Sequence, residues 1–295
     1  MLTSSPRLAL RRMVGIVAAL PLFVAAAPAS FADGVRLHTF HCLDACPAGA
    51  PDDADLVVRE IYTLSADPLT KLAVWVAYRV TPDTIGPSQS REWRADPWLA
   101  DEETLEPADY DGSNAALGVD RGHQAPLAAF SGTPFWPETN LLSNITPQAA
   151  ALNQAPWQRL EARETRLSKE ANVAVYVLTG PLFERLMPPL PRADERHRVP
   201  SGYWKVVMTA DRRMSAFVFD QDTPRAADHC AMRRTLDEVE LRARLRLLPG
   251  TKGGWRSLDE ALGCAAPVPN AGVDPSTSRR ADLSTTVAPT PPVGN

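Results

Sequence analysis

The sequence predicts an α+β domain, with a central, mostly antiparallel sheet flanked by helices. Short segments rich in β-branched and aromatic residues alternate or run apolar along the chain. Two longer charged stretches repeat apolar residues at three- and four-residue steps, and no segment recurs as an internal repeat.

Taken in order, "LVVREIYTL" (residues 56–64) reads as one strand and "LAVWVAYRV" (72–80) as its half-buried partner. "VAVYVLTG" (173–180), "YWKVVMTA" (203–210) and "SAFVFD" (215–220) repeat the signal and complete the sheet. Residues 153–170, "NQAPWQRLEARETRLSKE", set Trp157, Leu160, Glu164 and Leu167 at helical steps, with Pro156 tolerated in the first turn. A second helix is expected over 225–247 and a short third one over "SLDEALG", 257–263.

The two ends differ from this body. Residues 1–32 combine Arg7, Arg11 and Arg12, no acid, an apolar run from Met13 to about Ala27, and the small residues of "APASFADG". That pattern is a secretory signal peptide, cleaved after Ala32, with Ala29 as second choice. Its apolar core of about 15 residues falls short of the roughly 20 that span a bilayer, so the mature chain is expected to be secreted or periplasmic, without a membrane segment. Losing three arginines takes the formal net charge from −4 to −7. A chain this acidic needs a local basic patch or a bound cation to hold a polyanion. Residues 265–295, rich in Pro, Ser, Thr and Ala, predict a disordered tail. Residues 33–264 remain, enough for one sizeable core.

The four cysteines, Cys42, Cys46, Cys230 and Cys264, allow three pairings in an exported chain, of which Cys42–Cys46 with Cys230–Cys264 is favoured. Zinc is the rival reading, because "HTFHCLDAC" offers His38 and His41 beside two thiols and "DHC" adds His229. These histidines and His197 are otherwise read as surface or packing residues.

Four polar blocks carry the chemistry: "SREWRADPWL" (90–99), "DRGH" (120–123), "LLSNITPQ" (141–148) and "LNQAPWQRLEARE" (152–164). Together they offer one histidine, asparagines, glutamates and several arginines, which is an inventory for phosphodiester hydrolysis. Histidine takes a proton near neutral pH, arginine forks match phosphate oxygens, and a hard divalent ion holds the phosphate and the leaving oxygen. Asn153 alone is an acceptable protein ligand for Mg2+, which keeps most of its water. Eight residues at about 1.5 Å each place Glu161 roughly 12 Å along the helix from Asn153, so Glu161 is expected to hold a metal-bound water and not the metal.

"DRGHQAP", "NLLSNITPQ" and "LNQAPWQRLE", in this order and spacing, resemble the secreted bacterial nonspecific DNA/RNA endonucleases, relatives of mitochondrial endonuclease G with the ββα-metal nuclease fold. The likeness runs from about Cys42 through "REWRADPWL", "LTGPLFER", "PSGYWKV" and "FDQDTP" to Cys264. The resemblance implies a nonspecific endonuclease that uses Mg2+, or Mn2+ in its place, to cut DNA and RNA into products with 5′-phosphates. It implies His123 as general base, Asn153 as the direct metal ligand and Glu161 as the acid that orients metal-bound water. Arg91 and Arg121 become phosphate contacts, Asn144 a support for the His loop and substrate, and Asp120 a residue acting behind these; Gly122 is expected to serve a backbone bend. The two cysteine pairs resemble the family's disulfides, and a homodimer is left open because some relatives form one. One departure stands out: where secreted relatives tend to carry an arginine one turn after the glutamate, this chain has Thr165, flanked by Arg163 and Arg166. The competing readings are a catalytically dead nucleic-acid-binding module and a cysteine-linked structural or zinc protein.

Overall fold

A computed structural model describes residues 36–251 and 253–265. The leader expected over 1–32 and the tail beyond Ala265 lie outside the described residues.

The main sheet runs in the order β1 (Asp55–Val58), β2 (Tyr62–Asp67), β3 (Leu72–Val80), β6 (Val175–Leu182), β7 (Gly202–Thr209), β8 (Arg213–Asp220), β10 (Arg256–Ser257). All pairings along it are antiparallel except the short parallel one of β10 with β8, and β9 (Arg233–Arg234) adds to β8. The sheet is covered on both faces, which is why β7 is buried at all eight positions and reads apolar throughout. The period-two pleat sorts its side chains: Tyr203 and Val207 join one core with Tyr78 and Phe217, while Trp204, Val206 and Met208 join the other with Trp75 and Ala77. Lys205 therefore enters the first core, where the pattern calls for an apolar residue.

Two further strands stand apart from the main sheet. β4 (Val119–His123) pairs antiparallel with β5 (Ile145–Ala149), and helical backbone follows at once from Ala150 to Ala171. It comprises α3 (Ala150–Leu152), one π-turn (Asn153–Trp157) and α4 (Gln158–Ala171), closed by Asn172 in the left-handed region at φ 52. Trp157, Leu160 and Leu167 pack this helix on the first core. Short helices α1 (Ser113–Leu117) and α2 (Leu127–Phe130) flank β4, and α5 (Leu236–Ala243) covers the opposite face of the sheet through Val239.

Four expectations need correction. The single strand over 56–64 is a hairpin, because Arg59 leaves the ladder and turns inward to pair with Asp96 and Glu138. Pro156 lies six residues past the helix start at Ala150; the π-turn around it accommodates a residue that has no N–H to donate. The helix over 225–247 shrinks to α5: Cys230 is tied to Cys264, Arg233 and Arg234 join β8, and Thr235 caps a fresh start by accepting from Glu238 N–H. "SLDEALG" is one 3-10 turn, Glu260–Leu262, after Ser257 has paired with β8. Both cysteine pairs are disulfides, Cys42–Cys46 and Cys230–Cys264.

Candidate active site

β4 and the helix that follows β5 line an open cavity of about 1060 Å3. Of the residues singled out in the sequence, Arg91, Asp120, Arg121, His123, Asn153 and Glu161 all line it. Asn144 does not.

His123 ends β4, where the pairing with Ile145 fixes its backbone. Its Nε2 lies 3.1 Å from Asn140 Oδ1, and Asn140 Nδ2 donates to Ser90 O, so the amide oxygen faces the ring and Nε2 carries the proton. Burial pushes the imidazole down to about 4, with Arg91 adding to the effect and the Asn140 bond opposing it. His123 is therefore neutral at pH 7, with Nδ1 as its basic atom. Trp93 packs beside the ring, centroid to centroid 5.3 Å. Asn144 holds the loop after His123 from below: Oδ1 accepts from Ala125 N–H, and Nδ2 donates to Ala125 O and Thr139 O. Fully buried and fully bonded, it supports the loop and has no donor left for a substrate. Gly122 makes no bend. It sits in the strand because a Cβ there would meet Gln148 at 2.6 Å.

Asp120 organises the metal-ligand candidate. Its Oδ2 accepts from Asn153 Nδ2 at 3.0 Å and from Gln154 Nε2 at 2.8 Å, while Oδ1 accepts from Asn114. With its amide nitrogen held, Asn153 keeps Oδ1 outside every hydrogen bond among the described residues, in a cavity also lined by a carboxylate. An amide oxygen and a carboxylate, without a thiolate or second imidazole, suit a hard and largely hydrated cation such as Mg2+.

Glu161 rests on an ionic network that sequence reasoning missed. Lys205, fully buried on β7, reaches Glu161 Oε1 at 3.4 Å and Glu164 Oε1 at 3.2 Å. Tyr78 donates to the other oxygen of Glu164, and the Lys205 ammonium lies 4.2 Å from the Trp157 ring. Burial outweighs the pull of Lys205, and the neighbouring Glu164 adds to it, raising Glu161 to about 7. A lysine inside the otherwise apolar "YWKVV" was the available signal. Asn140, at the head of "NLLSNITPQ", was the signal for the histidine's partner.

The arginines differ. No hydrogen bond or ion pair holds the exposed Arg91 among the described residues. Arg121 donates to Pro107 O at 2.7 Å and Asp111 Oδ1 at 3.3 Å, and lies over the Tyr110 and Trp93 rings. Thr165 turns its hydroxyl to Glu161 O and Ala162 O, so it does not stand in for a cationic side chain.

Two antiparallel strands that present a histidine, followed by a helix that presents an amide and a carboxylate, define a ββα-metal nuclease. A chain of the solved EndoG/EndoGI complex shares the fold, with a TM-score of 0.59 and 23% identity over 69% of this chain and 89% of that one. The family model for DNA/RNA non-specific endonucleases matches residues 44–252, and the chain belongs to that family, enzymes that hydrolyse nucleic acid. It is 46% identical to a nuclease of Serratia marcescens over 256 residues, covering 82% of this chain and 94% of that protein. Human mitochondrial endonuclease G is 36% identical over 150 residues, half of this chain and 47% of the relative.

Proposed function

We propose that this chain is an exported, Mg2+-dependent endonuclease that hydrolyses DNA and RNA with little sequence preference and leaves 5′-phosphates. The observation that most supports it is the meeting, in one cavity, of a neutral imidazole, an unengaged amide oxygen, a half-buried carboxylate and arginines.

Phosphodiester hydrolysis needs a deprotonated water in line with phosphorus, stabilisation of the added charge, and neutralisation of the departing 3′ oxygen. His123 takes the water's proton on Nδ1, since Nε2–H is donated to Asn140. Arg91 swings onto the phosphoryl oxygens, and Arg121, anchored by Pro107 and Asp111, presents its remaining donors from a fixed place. Asn153 would bind the divalent ion through Oδ1, and Asp120 keeps that oxygen turned outward. Glu161, steadied by Lys205, orients water at its end of the cavity. When bound, the cation offsets charge on the phosphate and on the leaving oxygen. Contacts to backbone alone carry no sequence information, which accounts for the broad specificity.

Export is supported by the pattern of residues 1–32 and by two disulfides, which persist in oxidising compartments. N-terminal sequencing of the exported protein should begin at Asp33. The catalytic reading is tested with mature protein, plasmid DNA and total RNA, with Mg2+ or EDTA, beside His123→Ala. Both polymers should fall to fragments that accept label from polynucleotide kinase only after phosphatase treatment. Cleavage that persists in EDTA and in the variant would overturn the mechanism.

A further inference from the structure

Three arginines line the cavity, and the function above uses two of them. The third, Arg225, comes from the loop after β8, and its chemistry points outward. Its guanidinium donates to Gln154 Oε1 at 2.6 Å, a neutral partner, and no carboxylate lies within ion-pair distance among the described residues. Four of its five N–H groups are thereby left for a ligand.

The loop does not hang loose. Arg159 of α4 donates to the carbonyl oxygens of both Arg225 and Ala227, clamping the loop to the helix and holding the guanidinium at the cavity's rim. Gln154 is held in turn, since its Nε2 donates to Asp120 Oδ2, which fixes its oxygen toward Arg225. The result is a positioned cation on the helix side of the cavity, whereas Arg91 and Arg121 come from the strand and loop side. At about 1060 Å3 the cavity is at the upper end of the roughly 300–1,000 Å3 of small-molecule clefts, room for more than the scissile phosphate and its sugar.

We infer that Arg225 is a substrate-binding residue that grips a phosphodiester neighbouring the one being cut. The inference rests on the nuclease reading of the site. It makes the enzyme read at least two phosphates, and it gives this acidic chain a basic contact on the side where Thr165 offers none.

The test compares wild type, Arg225→Gln and, as a control far from the cavity, Arg256→Gln, an exposed arginine on β10. Binding of a labelled oligonucleotide duplex is measured in EDTA across NaCl concentrations. Arg225→Gln should lower the slope of log Kd against log salt by about 0.9, one phosphate contact, while Arg256→Gln leaves it unchanged. With Mg2+, kcat/KM on the oligonucleotide should fall about tenfold, mostly in KM, and stay at the wild-type value on a nitrophenyl ester of thymidine phosphate, which has a single phosphodiester. Equal losses on both substrates with an unchanged salt slope, reproduced by Gln154→Ala, would overturn the inference, because Arg225 would then act on Asn153 through Gln154 and Asp120. No change in slope or rate would overturn it as well. Failure of wild type to cleave either substrate would instead sink the nuclease reading.

Discussion

The two sides of the cavity are built by different means. On the strand side, neutral amides hold His123 and its loop: Asn140 on the ring, Asn144 on the backbone beyond it. On the helix side, Glu161 stands on buried charge, Lys205 between two carboxylates with Tyr78 behind. Burial drives both functional groups toward their neutral forms, His123 down to about 4 and Glu161 up to about 7. The difference lies in what removal leaves behind. A lost amide strands neutral donors and acceptors, while a lost ion strands an uncompensated charge in the core. Changes to the His123 ring should therefore cost activity with little stability, and helix-side changes should cost the fold as well.

The largest effect tests the first half of that contrast. His123→Ala should lower kcat by about 10²–10⁴-fold, the usual share of a general base, with urea unfolding within about 1 kcal/mol of wild type. A variant that unfolds several kcal/mol earlier would show that the strand side is structural too. Next comes Lys205→Met, which leaves Glu161 and Glu164 facing each other without a cation and should cost about 3–5 kcal/mol in urea unfolding. Adding Glu164→Gln should recover part of the loss by removing one of the two stranded acids. If Lys205→Met unfolds with wild type, the ionic account of the helix side fails. Smaller again is Asp120→Asn, which exchanges the acceptor shared by Asn153 and Gln154 for an amide. Half-maximal activity should then require about 10–100-fold more Mg2+, with kcat at saturation little altered; a lowered plateau at unchanged Mg2+ demand would place Asp120 in the chemistry itself.

How much of this was legible depended on whether a residue's task is local. The strands of the sheet showed in their own alternation, and "DRGH" and "LNQAPWQRLE" pointed to His123, Asn153 and Glu161, which line one cavity, because each block lies within one strand or one run of helical backbone. The interruptions did not show. Arg59 breaks a strand for Asp96 and Glu138, 37 and 79 residues away, and Cys230 breaks a helix for Cys264. Lys205 went unread inside an apolar strand, because its partners Glu161 and Glu164 lie on a distant helix that only the fold brings to it. The resemblance gave Asn144 to both the His loop and the substrate, and its closed set of bonds to Ala125 and Thr139 leaves it only the loop, which no local pattern announces.

The smallest predicted effect is the sharpest probe of the helix side, because its size changes with pH. Glu161 has a folded pKa near 7, above the ordinary 4.5, so the stability it contributes is complete below about pH 4.5 and lost as pH rises through 7. His123 runs the other way: with a folded value near 4 against 6.5, its contribution is complete above about 6.5 and lost as pH falls toward 4. The two trends oppose each other in wild type, so a single stability curve hides both. Subtracting the curve of wild type from that of Glu161→Gln isolates the glutamate. Glutamine keeps a hydrogen-bonding partner for Lys205 and does not ionise. In EDTA the variant should therefore gain on wild type between pH 5 and pH 8, by about 1–2 kcal/mol given that the side chain is only mostly buried. A difference that stays flat over that range would mean Glu161 is ionised throughout and paired with Lys205 in the ordinary way. Mg2+ should close the gap at pH 8, because a nearby cation favours the carboxylate and the amide has no charge to be favoured.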